Sequence, residues 1–256
     1  MQNKLTQLFK QPAHKLLNVY CTAGYPTIDS TATVMLSLQK AGVDMIEVGM
    51  PYSDPIADGP VIQESNMVAI ENGMTIQVLF EQLQQIKEAI HIPIILMGYL
   101  NPVLQFGIEK FCKAAADAGV SGIILPDLPM HEYETMYRTY FEKNNLSFVF
   151  LITPQTSDER IKKADALSTG FIYAVSSSAT TGTAVDSTQQ LSYFKRLASL
   201  KINNKIMIGF GIHNKASFDN AAAYGAGAII GSAFIKAIGK SNNIAKAVQT
   251  FIKNIR

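Results

Sequence analysis

The sequence predicts one α/β domain, a (β/α)8 or TIM barrel that spans residues 1–256 and carries an N-terminal capping helix. Three observations lead to this prediction. The length suits a barrel of this kind in one domain. Eight short apolar runs recur about every thirty residues, and helical segments lie between them. A doubly wound parallel sheet is the alternative, but eight units fill the chain and leave no second domain, which favours the barrel.

Each predicted strand is a nearly continuous apolar run, as expected where a strand is buried on both faces of a parallel sheet. The eight runs cover residues 16–22, 45–50, 93–99, 122–127, 147–153, 170–176, 205–211 and 227–232. Helical segments such as 30–42 and 75–90 separate them. Before the first strand, Leu5, Leu8 and Phe9 have helical spacing within residues 4–10, which predicts a capping helix under the barrel floor.

Composition excludes several classes of function. Hydrophobic residues make up 48% of the chain and charged residues 16%, with a net charge of +2, so the sequence lacks the basic patch that nucleic-acid binding requires. Cys21 and Cys112 form no metal or redox motif and fit a reducing compartment. We find no signal-peptide pattern and no apolar run of membrane-spanning length, and we therefore expect a cytoplasmic protein.

The second predicted strand contains a carboxylate, Glu47, between apolar residues. In a barrel, catalytic groups lie at the C-terminal ends of the strands and in the loops that follow. If Glu47 faces inward, burial disfavours its charged form and raises its pKa toward a value useful for proton transfer. The alternative is that it faces outward to a helix or pairs with a lysine. Asp54 and Asp58 on the next loop, taken alone, fit turn formation beside Pro and Gly.

The last two strands indicate a phosphate site. Glycines follow both, and a helix begins directly after the eighth, where main-chain N–H groups and the helix dipole attract an anion. Gly211, Gly231 and Ser232 are the predicted donors. A small, polar segment at 176–184 is typical of a loop that closes over a ligand.

The sequence does not place at the barrel mouth the residues that other barrel mechanisms require. A Schiff-base mechanism needs a lysine at the barrel mouth, but Lys205 precedes its strand and belongs to the opposite rim. The four histidines are scattered, so no metal cluster is indicated. Acid–base chemistry by carboxylates on a phosphorylated substrate remains.

Residues 46–63, IEVGMPYSDPIADGPVIQ, resemble the signature of the tryptophan synthase α subunit. Shorter matches follow in order along the chain at 125–129, 172–176, 180–182, 209–212 and 231–233. The resemblance implies a lyase of tryptophan biosynthesis that cleaves indole-3-glycerol phosphate to indole and glyceraldehyde 3-phosphate by a retro-aldol reaction. It makes Glu47 and Asp58 the two catalytic carboxylates.

The resemblance also assigns the substrate-binding residues. Tyr20, Tyr173 and Phe210 would wall an indole-sized pocket, although they are equally well explained as core aromatics. Thr181 and Gly182 would contact the ligand from the closing loop. The chain departs from the family at 177–180, where the family commonly has an arginine and a Gly-Val pair, and this affects loop closure and its coupling to a partner.

The family's α subunit joins a β subunit in an α2β2 heterotetramer. The resemblance therefore implies no cofactor in this chain and pyridoxal phosphate only in the partner. Two apolar, proline-containing stretches at the predicted barrel mouth, 50–55 and 99–107, are the expected docking surface. Two alternatives remain: another phosphate-binding barrel enzyme, such as an isomerase or indole-glycerol-phosphate synthase, and a non-catalytic subunit that senses a phospholigand.

Overall fold

The computed structural model describes residues 2–11, 15–175, 187–209 and 211–256. Its strands form one parallel sheet curled into a barrel, with the helices outside, and this confirms the predicted fold class. The strands are β1 Leu16–Thr22, β2 Met45–Gly49, β3 Ile94–Met97, β4 Gly122–Ile124, β5 Ser147–Phe148, β6 Leu151–Ile152, β7 Phe171–Val175, β8 Lys205–Gly209 and β9 Gly227–Ile230.

The prediction of one continuous strand at 147–153 is wrong, because two short strands form there. β5 pairs with β4, and β6 pairs with β7, so this segment joins the two ends of the strand order. The main-chain N–H groups of Phe148 and Phe150 donate to the hydroxyls of Thr169 and Ser168. On the side of this segment that faces β7, side-chain hydroxyls thus take the place of main-chain carbonyls as acceptors. This interrupts the regular main-chain hydrogen bonding between strands.

Helices cover the outside of the sheet, except for α1, which lies at the bottom of the barrel. They are α1 Lys4–Leu8, α2 Ser30–Lys40, α3 Pro60–Glu71, α4 Ile76–Ile86, α5 Leu100–Phe106, α6 Ile108–Asp117, α7 Met130–Glu132, α8 Arg138–Lys143, α9 Asp158–Leu167, α10 Ser187–Ser199, α11 Lys215–Ala222, α12 Ser232–Gly239 and α13 Ile244–Lys253. A π-helix, Tyr133–Tyr137, connects α7 to α8.

Alternation along each strand produces two hydrophobic cores. Side chains such as Val19 and Val48 face the helices and belong to the larger core. Tyr20, Met45 and Tyr173 face the lumen and belong to the smaller, inner core. Because Glu47 lies two residues after Met45, it also points into the lumen.

The capping helix α1 closes the lumen from below, as predicted. Asn3 caps its N-terminus together with Thr6, and the Asn3 side chain donates to the Ser121 carbonyl. Leu5 is fully buried in the inner core, above Gly122 and Gly170, where a Cβ atom would touch its side chain. The floor is therefore sealed, and chemistry is confined to the opposite mouth.

Candidate active site

A cavity of about 280 Å³ opens at the mouth of the barrel, at the C-terminal ends of the strands. Its lining contains seven of the ten residues predicted from the sequence as site residues. These are Tyr20, Glu47, Asp58, Tyr173, Gly211, Gly231 and Ser232. The other three, Thr181, Gly182 and Phe210, lie outside the described residues, as does the predicted closing loop.

Glu47 is held rigidly in the inner wall. It lies in the middle of β2, paired in register with Tyr20 of β1 and Ile95 of β3, and only 1% of it is exposed. Burial raises the pKa of its carboxyl to about 8, the negative charge of Asp58 raises it as well, and a hydrogen bond from Asn18 lowers it. At neutral pH Glu47 is therefore mostly protonated and can act as a general acid.

Asp58 reaches the same cavity from the loop between β2 and α3. Its main-chain N–H donates to the Pro55 carbonyl, and its own carbonyl accepts from the Gln63 side chain. The Tyr99 hydroxyl donates to its carboxylate at 3.0 Å. Burial raises the pKa of Asp58 to about 6, and the hydrogen bond from Tyr99 limits the rise. Asp58 is therefore mostly ionised at pH 7, where Glu47 is mostly protonated.

Two tyrosine rings cross the lumen beside these acids. A Cβ atom at Gly49 would clash with the Tyr20 hydroxyl, and one at Gly209 would clash with the Tyr173 hydroxyl. The glycines at the ends of β2 and β8 therefore make room for the rings. Burial raises the pKa of both phenols well above the usual value, so they remain neutral over the working range of pH. They give the cavity a flat, largely apolar wall.

The far side of the cavity has the features of an anion site. Gly231 is the N-cap of α12, and no side chain caps this helix, so Ser232 begins a first turn whose N–H groups face the cavity end. Gly211 has a φ of 75°, in the left-handed region, and the space where its Cβ would lie is open. Gly211 therefore leaves room for a group that approaches the main chain closely, and Gly231 presents no side chain at the start of α12.

Several residues that the sequence did not single out also contribute. Tyr99 was expected in the docking stretch, but its ring is buried, and its hydroxyl lies between the Ala57 N–H and Asp58. His213 and Lys236 line the cavity near Gly211 and the start of α12, where they add polar groups. Asn18 contacts Glu47 directly. A polar residue within an apolar strand was the available signal for Asn18, as it was for Glu47.

Of the residues considered for other chemistries, Lys205 lies away from the cavity, whereas one histidine, His213, lines it. Lys205 begins β8, at the opposite rim, and is exposed, as predicted. Within the described ranges, no three His, Cys, Asp or Glu side chains come close enough to hold a metal ion. The described helices are all too short or too polar to cross a membrane.

A family model for the tryptophan synthase alpha chain matches residues 6–256. The chain belongs to the tryptophan synthase alpha chain family. It is 49% identical over 255 residues to the tryptophan synthase alpha chain of Flavobacterium johnsoniae, an alignment that covers 99% of this chain and 100% of the relative. It is 47% identical over 255 residues to that of Parabacteroides distasonis, with 99% of each covered.

Solved tryptophan synthase alpha structures have the same fold. The crystal structure of tryptophan synthase subunit alpha from Legionella pneumophila superimposes with a TM-score of 0.88 at 29% identity, covering 100% of this chain and 97% of the other. Tryptophan synthase from M. tuberculosis in an aminoacrylate-bound form gives 0.86 at 28% identity, covering 99% and 98%. The family resemblance inferred from residues 46–63 is confirmed, and with it membership of a lyase family.

Proposed function

We propose that this chain cleaves indole-3-glycerol phosphate to indole and glyceraldehyde 3-phosphate, with Glu47 and Asp58 as its catalytic residues. The observation that carries the proposal is the pair of carboxyl groups on one cavity, with pKa values displaced to about 8 and about 6. An acid and an ionised carboxylate thus face the same substrate at neutral pH.

The bond to be broken joins the indole ring carbon C3 to the glycerol chain. Indole is a poor carbanion leaving group, so protonated Glu47 first gives its proton to C3, and the positive charge spreads to the ring nitrogen. Ionised Asp58 stabilises that charge. Glu47, now a carboxylate, takes the proton of the glycerol hydroxyl next to the bond. The carbon–carbon bond breaks, its electron pair restores the aromatic ring, and the aldehyde forms with Glu47 protonated again.

The rest of the cavity supplies binding and orientation. We assign the phosphate to Gly211, Gly231 and Ser232, because the uncapped start of α12 and the open space at Gly211 favour an anion there. Tyr20 and Tyr173 would wall the indole ring. Thr181, Gly182 and Phe210 remain predicted ligand contacts on the strength of the resemblance alone.

The test is to incubate the purified chain with indole-3-glycerol phosphate and follow indole release. Glu47→Gln should abolish most of the release, whereas Asp54→Asn, at an exposed position on the loop that follows β2, should not. Gly211→Val should raise the apparent Kd for the phosphorylated substrate and leave that of its dephosphorylated analogue unchanged. If wild-type chain releases no indole, with or without a β subunit, the proposal is wrong.

We further propose that the chain docks on a β subunit in an α2β2 assembly, and that pyridoxal phosphate is held by that partner. For docking we retain the exposed residues of the two predicted stretches and add the exposed residue that follows the first one. Met50 and Pro55 are buried. Ile56, directly after the first predicted stretch, is 79% exposed, and Leu104, within the second, is 43% exposed. Pro51 and Tyr52 are partly exposed beside them.

This surface is connected to the catalytic acid. The Tyr52 ring packs on the Tyr99 ring at a centroid distance of 5.3 Å, and Tyr99 donates to Asp58. Docking on Tyr52 could therefore fix Asp58 through one intervening side chain. Mixing the chain with a cognate β subunit should form a complex and raise the rate of indole release, and Ile56→Asp should weaken the complex without unfolding the chain. No complex at micromolar concentration would refute docking.

A further inference from the structure

Asn18 is a polar side chain inside the apolar inner wall of the barrel, in contact with the proposed catalytic acid. It lies on β1 between the inward-facing Leu16 and Tyr20 and is fully buried. Its Nδ2 donates to Glu47 Oε2 at 2.9 Å. Its Oδ1 is buried and has no hydrogen-bond partner among the described residues.

Folding alone does not account for an amide at this position. A buried polar atom without a partner destabilises the folded state, and the carbonyl half of this amide is in that situation. Leucine has a similar shape and size and would fill the same space among Leu16, Met45 and Ile229 without a polar atom to desolvate. Among the described residues, the hydrogen bond to Glu47 is the one that the Asn18 side chain makes, and it is therefore the feature that distinguishes asparagine from leucine here.

An amide suits a carboxyl group that changes its protonation state. The NH2 group of Asn18 can donate to an ionised carboxylate, and its carbonyl oxygen can accept from a protonated carboxyl. A half turn of the amide about its terminal torsion exchanges the two groups with little change of shape. Glu47 passes through both forms in the proposed cycle, since it first gives and then takes a proton.

We propose that Asn18 is a positioning residue for Glu47, whose side-chain amide holds the carboxyl in one orientation in both its ionised and its protonated form. The inference rests on the proposed function, because only a proton-transfer role requires Glu47 to alternate between the two forms. Asn18 acts through Glu47 and not on the substrate.

The other titratable groups around Glu47 come from three elements. Asp58, on the β2–α3 loop, adds a negative charge that raises the pKa of Glu47. Tyr20 and Cys21 on β1 and Tyr173 on β7 all have a raised pKa because of burial, that of Cys21 to about 12. Between pH 5 and pH 9, Glu47 and Asp58 are therefore the members of this group that titrate, and Asn18 is the donor that opposes the effect of burial on Glu47.

The test compares wild-type chain with Asn18→Leu, which keeps the shape and removes the amide. The Glu47 carboxyl is titrated by ¹³C NMR in chain labelled at glutamate, its signal identified by its loss in Glu47→Gln. Without the Asn18 donor the charged form is less favoured, so the midpoint should rise by about one pH unit. The kcat for indole release should fall about tenfold, and KM should change by less than about twofold.

Val19→Ala is the matched control, because Val19 is the next residue on β1 and faces the outer core, away from Glu47. It should leave the Glu47 midpoint where it is in wild type. Asn18→Ala also removes the amide, and it takes the place of Asn18→Leu if that variant does not fold.

A Glu47 midpoint that is unchanged in the Asn18 variant would overturn the inference, and so would a midpoint that Val19→Ala moves equally. The titration needs no substrate, so it separates this inference from the proposed function. If wild-type chain cleaves no indole-3-glycerol phosphate, the function is refuted whatever the titration shows. If it does and the Asn18 variant titrates and turns over like wild type, only the role of Asn18 is refuted.

Discussion

Strand β2, which carries Glu47, and the loop after it, which carries Asp58, face the same cavity but hold their carboxyl groups in different ways. Glu47 is fixed by strand pairing on both sides and has one amide partner. Asp58 is fixed by turn hydrogen bonds and by the buried Tyr99, whose ring packs on that of the partly exposed Tyr52. Deeper burial keeps Glu47 protonated, whereas Asp58, nearer the rim and with a hydroxyl donor, stays ionised. The different surroundings of the two carboxyl groups thus make Glu47 a proton donor and Asp58 an anion at neutral pH.

The largest expected effect comes from Glu47→Gln. Glutamine keeps the shape and still accepts from Asn18, but it cannot transfer a proton, so kcat should fall by about 10²–10⁴. Substrate binding should survive, because the phosphate is held at the other end of the cavity. Steady-state indole release and a binding isotherm measure the two quantities. Near-normal turnover would remove Glu47 from the mechanism.

Asp58→Asn should have the next largest effect. It removes a charge that stabilises the protonated ring, and deletion of a single group of this kind lowers kcat by about 10²–10³. Asp54→Asn is its control, since Asp54 is exposed on the same loop and accepts from its neighbour Ser53. An equal loss from both substitutions would mean that loop conformation matters and the charge at 58 does not.

The acid buried in the strand should also affect stability in a way that depends on pH. The pKa of Glu47 is about 8 in the folded chain and 4.5 as a reference, so the folded state holds a proton that the unfolded state releases between these values. Its contribution to stability is full below about pH 4.5 and is lost as pH rises through about 8. Glu47→Gln lacks this loss and should be more stable than wild type by about 3–5 kcal/mol at pH 9.

Urea unfolding of wild type and of Glu47→Gln at pH 5 and pH 9 measures this difference. Because the two proteins are compared at the same pH, the contributions of the other titratable groups cancel. At pH 5 the two free energies of unfolding should nearly coincide. A difference that is the same at both values of pH would show that Glu47 is not held protonated by burial.

The smallest expected effect comes from Tyr99→Phe, which removes the hydroxyl that joins Asp58 to the docking surface. The pKa of Asp58 should rise by about one unit, because its ionised form loses a donor. Indole release below pH 7 should fall by about tenfold or less, and release at pH 8 should change little. The pH profile of kcat/KM measures this, and an unchanged profile would show that Tyr99 does not tune Asp58.

Much of this molecule could be predicted from its sequence, and the misses have physical causes. Apolar runs predict strands because a strand that is buried on both faces contains few polar residues. A carboxylate within such a run, as at Glu47, is therefore conspicuous. Asp58 beside Pro and Gly is indistinguishable from a turn residue, so its role came only from the family resemblance. Tyr99 was missed because strand alternation no longer determines the direction of a side chain after the strand ends. Asn18, like Glu47, is a polar residue within an apolar strand. Its contact with Glu47 depends on the register between β1 and β2, which the sequence does not reveal.

The dependence of kcat/KM on pH, measured for indole release by wild type and by Asp58→Asn, tests the division of roles most directly. Wild type should give a bell with an acid limb near pH 6, from Asp58, and an alkaline limb near pH 8, from Glu47. Asp58→Asn should lose the acid limb and keep the alkaline one, displaced to lower pH because the charge that raised the pKa of Glu47 is gone. An acid limb that persists in Asp58→Asn, or an alkaline limb absent from wild type, would contradict the account.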